Sequence, residues 1–452
     1  MAYDIIIGRS EADRKRFGEK GAVYIGKHYV KMGRTTSLSS KVLLDVVRSH
    51  VVLVSGKRGS GKSFSLGVIA EGMSQLPQDI AQNLGVLILD TMGIFWTSKY
   101  PNIPDEDLLK AWDLEPGEVP IRLFTPQGFF AQQKEEGIPV DAPFAIQPGE
   151  LTAEDWALTF GLSPSDPVAV LIEKILYQLH EEGHRDYSLN EILHLIEHDP
   201  ETEPWVKNSA KNRFRAAQAW GIFSQKATPL SQLVQRGVIT VLDVSMYGAM
   251  GGGGNVKALV IGLIAKKLFT HRMLARKHEE KERIEKGYSY LAPTESALQD
   301  PMVWLFLDEA HEFLPDEGKT AATDPLVTIL REGRQPGLSL ILATQQPGKI
   351  HRDVMTQADI VLSHRLTAKP DIEALNLMMQ SYLTTDLATA LNNLPREPGA
   401  AILLDDNSER IYPLRVRPRF TWHGGEAPTA IKTQPHLDLG DEFLPKPSDE
   451  SG

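Results

Sequence analysis

Residues 51–63 read VVLVSGKRGSGKS, an apolar β-branched run that passes directly into a glycine-rich loop with a lysine and a serine. This is the G-x-x-x-x-G-K-[ST] pattern, in the strand, loop and helix order that a phosphate-binding loop requires. The glycines let successive backbone N–H groups turn toward an anion, and a helix predicted from about residue 64 to 73 directs its positive end at the same point. The chain is therefore constrained to build an α/β unit around this loop; a chance glycine-rich turn fits the flanking segments poorly.

The residues of this loop are the predicted nucleotide contacts. Lys62 is expected to reach the β- and γ-phosphates, and the Ser63 hydroxyl is expected to ligate Mg²⁺. We therefore expect ATP and Mg²⁺ as cofactors. The full set of predicted nucleotide-binding residues is Gly56, Lys57, Arg58, Gly59, Ser60, Gly61, Lys62, Ser63 and Phe64.

A second apolar run ends in two carboxylates. Residues 303–309 read VWLFLDE, which has the form of a buried strand with acidic side chains at its carboxyl end, where α/β sheets place their ligands. We expect Asp308 to hold Mg²⁺ through water and Glu309 to orient and polarise the attacking water. A surface Asp-Glu pair after a strand is the alternative, and the upstream loop argues against it.

A third apolar run, residues 340–344, is followed by two glutamines. A strand beside the acidic one commonly presents a residue that senses the γ-phosphate, and Gln345 is preferred over Gln346 because it is nearer the strand end; a simple strand cap is the alternative. Between these runs, Arg331 and Arg334 are three residues apart on a predicted helix and so share a face. Either arginine is a candidate to stabilise transition-state charge in a neighbouring subunit's site, and a solvated salt-bridge helix is the alternative.

The composition is that of an ordinary soluble chain of 452 residues, with no cysteine and a net charge of −11. The absence of cysteine excludes disulfides and thiolate chemistry and suits a cytoplasmic protein. No apolar run is long enough to cross a membrane, and the amino-terminal residues do not form a signal peptide. A nucleic-acid binder with a broad basic face would usually have the opposite charge, so if DNA is the partner, its contact must be confined to a local surface such as a pore lining.

Strands and helices alternate along most of the chain, which predicts a mainly parallel, doubly wound α/β sheet. We expect four parts. They are a short β-rich region at 1–49, an ATPase core from 50–99 and 236–420, an irregular and helical insertion at 100–235, and a tail or arm at 421–452. Within the insertion, 100–165 shows little periodicity, and 166–236 has helical spacing.

Three further segments have two interpretations each. Asp90 ends an apolar strand and could lie near the metal or cap a loop. The run Gly251–Gly254 follows a predicted strand and could be a mobile pore loop for DNA or a loose connection. The basic helix at 266–277 is a weaker DNA candidate, and a solvated face is favoured there. No base-reading motif occurs, so any DNA binding should be independent of sequence.

Residues 308–311 spell DEAH, which invites comparison with two-lobed helicases. The long separation between Lys62 and Asp308, the ATQQ that ends the next strand, and the short remaining chain argue against a second nucleotide-binding lobe. A single-lobe ATPase takes its catalytic arginine from a neighbour, which implies a ring.

The chain resembles the HerA branch of the HerA/FtsK ATPases, from about residue 24 to 419. The most specific segments are WLFLDEAHEFLP, LREGRQPGLSLILATQQP and the carboxyl-terminal AILLDDN and IYPLRVRPR. The resemblance implies a RecA-like P-loop core and a homohexameric translocase that threads double-stranded DNA through its centre. HerA proteins work with a nuclease, NurA in archaea, and related bacterial proteins pair with other effectors in phage defence. The family usually opens with a longer β-barrel, so here a reduced barrel is expected.

Two other functions stay open. The protein could be a regulatory ATPase scaffold that assembles and activates an effector with little translocation, or a motor for DNA or protein export. The complete set of Lys62, Asp308 and Glu309 favours real ATP turnover but does not separate a motor from a scaffold.

Overall fold

In the computed structural model, the described residues are 4–32, 35–181, 183, 186–287, 298, 300–379 and 387–425. Within them, thirteen strands form one sheet. The strands are β1 Ile5–Ile7, β2 Ala22–Met32, β3 Thr35–Asp45, β4 Val51–Ser55, β5 Leu84–Asp90, β6 Ile121–Pro126, β7 Ala142–Phe144, β8 Ile239–Asp243, β9 Met302–Leu307, β10 Leu338–Thr344, β11 Ile360–His364, β12 Ala400–Asp405 and β13 Arg410–Val416.

The strand order is β1-β3-β2-β13-β12-β11-β4-β10-β9-β5-β8-β6-β7. Every pair from β11 to β7 is parallel, whereas β12, β13, β2 and β3 pair antiparallel. Strand β10 lies between β4 and β9, with Thr344 beside Ser55 and Leu342 beside Leu307. The ends of the phosphate-binding strand and of the acidic strand are therefore separated by the width of one strand.

The helices cover both faces of this sheet. They are α1 Glu11–Phe17, α2 Lys62–Ser74, α3 Gln78–Ala81, α4 Glu106–Lys110, α5 Gln127–Glu135, α6 Ala153–Thr159, α7 Pro167–Glu181, α8 Leu189–His198, α9 Pro204–Gln218, α10 Leu230–Leu233, α11 Gly253–Gly287, α12 Thr323–Glu332, α13 Arg352–Gln357, α14 Lys369–Met379 and α15 Leu387–Asn392. None of these described helices combines the length and apolar character that crossing a membrane requires.

The central strands are continuous apolar runs because both faces are covered. Leu53 packs into one core with the helices of the insertion, while its neighbours Val52 and Val54 pack into the other core with Leu66 and Ile69 of α2. This alternation is the period of two expected along a strand. It fixes the register of β4 and, with it, the position of the loop that follows.

Two expectations need correction. The amino-terminal strands do not close into a barrel, because β2 pairs with β13 and so continues the open sheet. The segment 100–165 is more regular than expected, since it contains β6 and β7, which extend the sheet beyond β8, and the helices α4 to α6. The expected tail at 421–452 is described as far as Gly425, and the rest lies outside the described residues.

Candidate nucleotide site

The glycine-rich loop connects β4 to α2 at the carboxyl edge of the parallel strands. Gly61 caps the helix with a φ of 104°, a left-handed backbone conformation that favours glycine. At Gly56, a Cβ would lie 2.3 Å from Ser60 Oγ and 2.8 Å from the Cβ of His364, so only glycine fits without a shift. The local sequence therefore sets the tight turn that aims backbone N–H groups at one point.

Lys62 opens α2 and is buried, yet it makes no hydrogen bond or ion pair with the described residues. Burial lowers the pKa of its ammonium group, and the nearby carboxylates of Glu309 and Asp308 oppose that shift. In the same loop, Ser60 Oγ is buried and has no hydrogen-bond partner in the described part of the chain. The buried Lys62 ammonium group and the unpaired Ser60 hydroxyl lie beside the backbone N–H groups of the loop. Together these groups are suited to bind a polyphosphate.

Ser63 and Asp308 meet across the sheet edge. The Ser63 hydroxyl donates a hydrogen bond of 2.5 Å to Asp308 Oδ2. A hydroxyl and a carboxylate oxygen are the donor types that Mg²⁺ takes alongside phosphate oxygens and water. The pair is therefore suited to hold Mg²⁺ between the loop and β9.

Glu309 follows Asp308 with a φ of 50°, a left-handed conformation that is uncommon for a residue with a side chain. Gln345, at the end of β10, donates an amide hydrogen bond to Glu309 Oε1. Glu309 Oε2 is buried and accepts no hydrogen bond from a described residue; the ring nitrogen His311 Nδ1 lies 3.7 Å from it. Burial raises the pKa of the Glu309 carboxyl, and the charge of Asp308 adds to the shift. A desolvated carboxylate with one oxygen free is suited to act as a base toward a water molecule.

The two predicted arginines lie at the amino-terminal ends of the parallel strands, opposite the ends that carry the glycine-rich loop. Both precede β10, whose far end carries Gln345, so neither can contact the nucleotide of its own chain. The predicted helix ends at Glu332, which places Arg334 in the turn that follows and removes the shared helix face. Arg331 is held by Asp353 at 2.6 Å, whereas the exposed Arg334 has no ion-pair partner among the residues described.

His364 was not predicted as a site residue, yet it packs directly against the glycine-rich loop at Gly56. It ends β11, beside β4, and its Nε2 lies 2.8 Å from the hydroxyl of Ser65, in the first turn of α2. Its Nδ1 lies 3.3 Å from the carbonyl oxygen of Ala400. Burial lowers the pKa of this histidine to about 4. A neutral imidazole therefore links the loop to β11 and β12, a contact that only the folded sheet reveals.

A buried ion cluster ties the carboxyl-terminal segment to α2. Glu71, in the last turn of that helix, accepts hydrogen bonds from Arg417 at 2.9 Å and Arg419 at 3.0 Å, and the Thr421 hydroxyl also donates one to it. These side chains are almost completely buried. A signal of this cluster is present in the sequence, because Glu71 interrupts the apolar run LGVIAEGM.

Asp90 caps a loop. Its oxygens accept hydrogen bonds from the backbone N–H groups of Met92, Gly93 and Phe95. Burial and the charge of neighbouring Asp243 raise the pKa of Asp90, while the three N–H groups oppose that shift. This arrangement matches the loop-cap interpretation rather than the metal interpretation.

The DNA candidates fall in two different settings. Helix α11 begins at Gly253, so only Gly251 and Gly252 of the glycine run remain in the loop, where an added Cβ would meet nothing within 4 Å. The basic residues of 266–277 are largely engaged by the protein itself. Lys267 pairs with Glu150 at 2.5 Å, and buried Arg272 pairs with Glu279 at 3.1 Å.

Comparison with known proteins matches two segments of the chain to family models. The family model described as Helicase HerA, central domain, matches residues 23–245, and the model described as Zonular occludens toxin (Zot) matches residues 255–374. A curated relative, the DNA double-strand break repair helicase HerA of Pyrococcus furiosus, is 26% identical over 181 residues.

The chain is HerA-like over residues 23–245.

A second relative supports the assignment. The probable DNA double-strand break repair helicase HerA of Methanocaldococcus jannaschii is 28% identical over 140 residues, which are 28% of the HerA-like chain and 28% of that protein. The Pyrococcus match covers 38% of this chain and 31% of the relative. The HerA-like chain thus matches less than a third of the length of these curated relatives.

Among solved structures, VirB4 of Thermoanaerobacter pseudethanolicus has a TM-score of 0.54 at 13% identity and covers 88% of this chain and 97% of that one. At this identity the likeness concerns the fold alone. The predicted resemblance to HerA and the mainly parallel P-loop fold are confirmed.

Proposed function

We propose that this HerA-like protein hydrolyses ATP to move along double-stranded DNA as a homohexamer. The observation that carries the proposal is the convergence of Lys62, the Ser63–Asp308 pair and Glu309 at one sheet edge. Bound Mg²⁺ would supply positive charge to the β- and γ-phosphate oxygens. Lys62 would bind those phosphates, Gln345 would hold the Glu309 carboxylate, and Glu309 would take the proton of the attacking water.

The ring is inferred from the position of Arg334. This exposed guanidinium lies at the edge opposite the nucleotide loop of its own chain, and no described residue pairs with it. A neighbouring subunit in a closed ring would place it at the next nucleotide, as arginine residues supplied in trans do in other P-loop enzymes. Six copies and a central DNA channel are further parts of the proposal, supported by the HerA resemblance.

DNA contact is proposed for the channel because the chain as a whole is acidic, with a net charge of −11. The loop at Gly251 and Gly252 is our candidate for backbone contact, since it follows β8 and has open space around it. Binding of this kind would be independent of sequence and sensitive to salt.

We further propose that the motor works with a nuclease of NurA type or another effector, in DNA end processing or phage defence, in the cytoplasm. The regulatory scaffold and the export motor remain the alternatives. The names of the curated relatives, which are DNA double-strand break repair helicases, favour the DNA-processing motor.

The test is ATP turnover with and without linear duplex DNA. We expect duplex DNA to stimulate wild-type turnover several-fold. Lys62→Ala should lose ATP binding, whereas Glu309→Gln should bind ATP but hydrolyse it about 10²–10³-fold more slowly, because only the general base is lost. Wild-type turnover in Glu309→Gln would refute the catalytic assignment, and turnover that duplex DNA does not change would favour the scaffold.

A further inference from the structure

Phe64, which follows the predicted metal ligand Ser63, contacts the ring of His423 in the carboxyl-terminal segment. Phe64 lies in the first turn of α2, and its ring meets that of His423 edge to face, with ring centroids 5.2 Å apart and an interplanar angle of 81°. In a bound nucleotide, the first-turn N–H groups of α2 would face the phosphates. The nucleoside is attached to the α-phosphate, at one end of the triphosphate. The base must therefore leave the loop next to the start of this helix.

His423 is held in a fixed position relative to that helix. The Arg419 guanidinium bonds Glu71 of α2 at 3.0 Å and approaches His423 Nδ1 at 3.2 Å. Along the same segment, Thr97 Oγ1 donates a hydrogen bond to the Trp422 carbonyl, and the Gly424 N–H donates one to Thr97 Oγ1. Hydrogen bonds on both sides of His423 therefore hold this segment in place.

The tautomer of His423 follows from its arginine neighbour. A guanidinium only donates hydrogen bonds, so Nδ1 must accept and the ring proton must sit on Nε2. Burial and the charge of Arg419 lower the pKa of His423 to about 4, which keeps the ring neutral near pH 7. In the described part of the chain Nε2 has no hydrogen-bond partner, so a donor is available beside the loop.

Gly425 keeps the edge of this ring open. A Cβ at position 425 would lie 2.7 Å from His423 Nε2 and 2.8 Å from its Cε1, so any larger residue would force the ring or the backbone to shift. The space next to the donor is thus preserved by a residue without a side chain.

We propose that Phe64 and His423 form the contact site for the nucleobase of ATP, with His423 Nε2–H donating to a ring nitrogen of adenine. The inference rests on the proposed function and adds a specificity-determining residue from the carboxyl-terminal segment. Adenine ring nitrogens are acceptors, and the edge of an aromatic pair suits a flat heterocycle.

The experiment compares two ligands of the full chain in Mg²⁺ buffer, ATP and inorganic tripolyphosphate, by calorimetry. His423→Ala should raise the Kd for ATP about ten-fold, which corresponds to about 1.4 kcal/mol. The Kd for tripolyphosphate should stay within about two-fold, because that ligand has no base. Gly425→Ala should weaken ATP binding in the same selective way.

The matched control is His28→Ala, which removes a histidine in a similar edge-to-face contact with Tyr412, on strands β2 and β13 far from the loop. It should leave both constants unchanged. Unchanged ATP affinity in His423→Ala, or an equal loss for both ligands, would overturn the proposal. Either result is separate from failure of the proposed function, which would appear as a wild-type protein that binds ATP without DNA-dependent turnover.

Discussion

The side-chain amide of Gln345 donates a hydrogen bond to Glu309 Oε1, and so links the end of β10 to the carboxylate that follows β9. The residue predicted to sense the γ-phosphate thus touches the residue predicted to activate water. An amide nitrogen has two hydrogens, so Gln345 can hold Glu309 while it reaches toward a phosphate oxygen.

Removal of this amide should slow hydrolysis without loss of ATP binding. In Gln345→Ala we expect kcat to fall about 10²-fold, because Glu309 loses the donor that orients it. ATP affinity should change less than about three-fold. The control is Gln346→Ala, since the side chain of Gln346 makes no hydrogen bond with a described residue. Equal effects of the two substitutions would contradict the assignment.

The two arginines should differ in their contribution. Arg334→Ala should lower turnover about 10³-fold if its guanidinium serves the next subunit, while Arg331→Ala should have a smaller effect because Asp353 already engages Arg331. Mixing Arg334→Ala subunits with Lys62→Ala subunits should recover part of the activity, since some interfaces then have both residues. Strict inactivity of the mixture would argue that Arg334 does not act in trans.

The Glu71 cluster should be a major determinant of stability. Glu71→Ala leaves Arg417 and Arg419 buried without their carboxylate, which should cost about 3–5 kcal/mol in the free energy of unfolding. Glu106→Ala is the control, because it breaks an exposed pair with Lys110 and should leave the urea midpoint unchanged. Comparable urea midpoints for the two variants would show that the cluster does not stabilise the fold.

His50 should make stability depend on pH. Burial alone would lower its pKa, but hydrogen bonds to Asp359 at 2.6 Å and to Asp45 at 3.4 Å together raise the pKa to about 9. Its unfolded-state pKa is near 6.5. The stabilisation is therefore complete below about pH 6.5 and is lost as the pH rises toward 9.

We expect the unfolding free energy of the wild type to fall by about 1–3 kcal/mol across that interval. His50→Gln should lack most of this decrease, as measured by urea denaturation at a series of pH values. A variant with the same slope as the wild type would exclude His50 as the titrating group.

The sequence predicted the parts of the site that depend on local patterns. The loop at Gly56–Ser63 and the strands before Asp308 and Gln345 each combine a continuous apolar run with a polar end, and their bounds agree closely with β4, β9 and β10. The parallel sheet also followed from the alternation of strands and helices.

What the sequence did not predict depends on contacts between distant segments. Strand β6 contains an arginine and a proline and reads poorly as a strand, but pairing with β8 stabilises it. The contact of His364 with Ser65 requires β11 to lie beside β4, which no local pattern indicates. The burial of Glu71 needs the carboxyl-terminal arginines to return to α2 across most of the chain.

If ATP hydrolysis drives movement along duplex DNA, the moving protein should displace a third strand from a triplex. A labelled triplex-forming oligonucleotide is bound at one end of a long duplex, and its release is followed after ATP is added. We predict that the wild type releases the oligonucleotide with a lag that grows with duplex length, while Lys62→Ala and Glu309→Gln do not. Full DNA-stimulated ATP turnover without any release of the third strand would show that hydrolysis does not drive movement along the duplex.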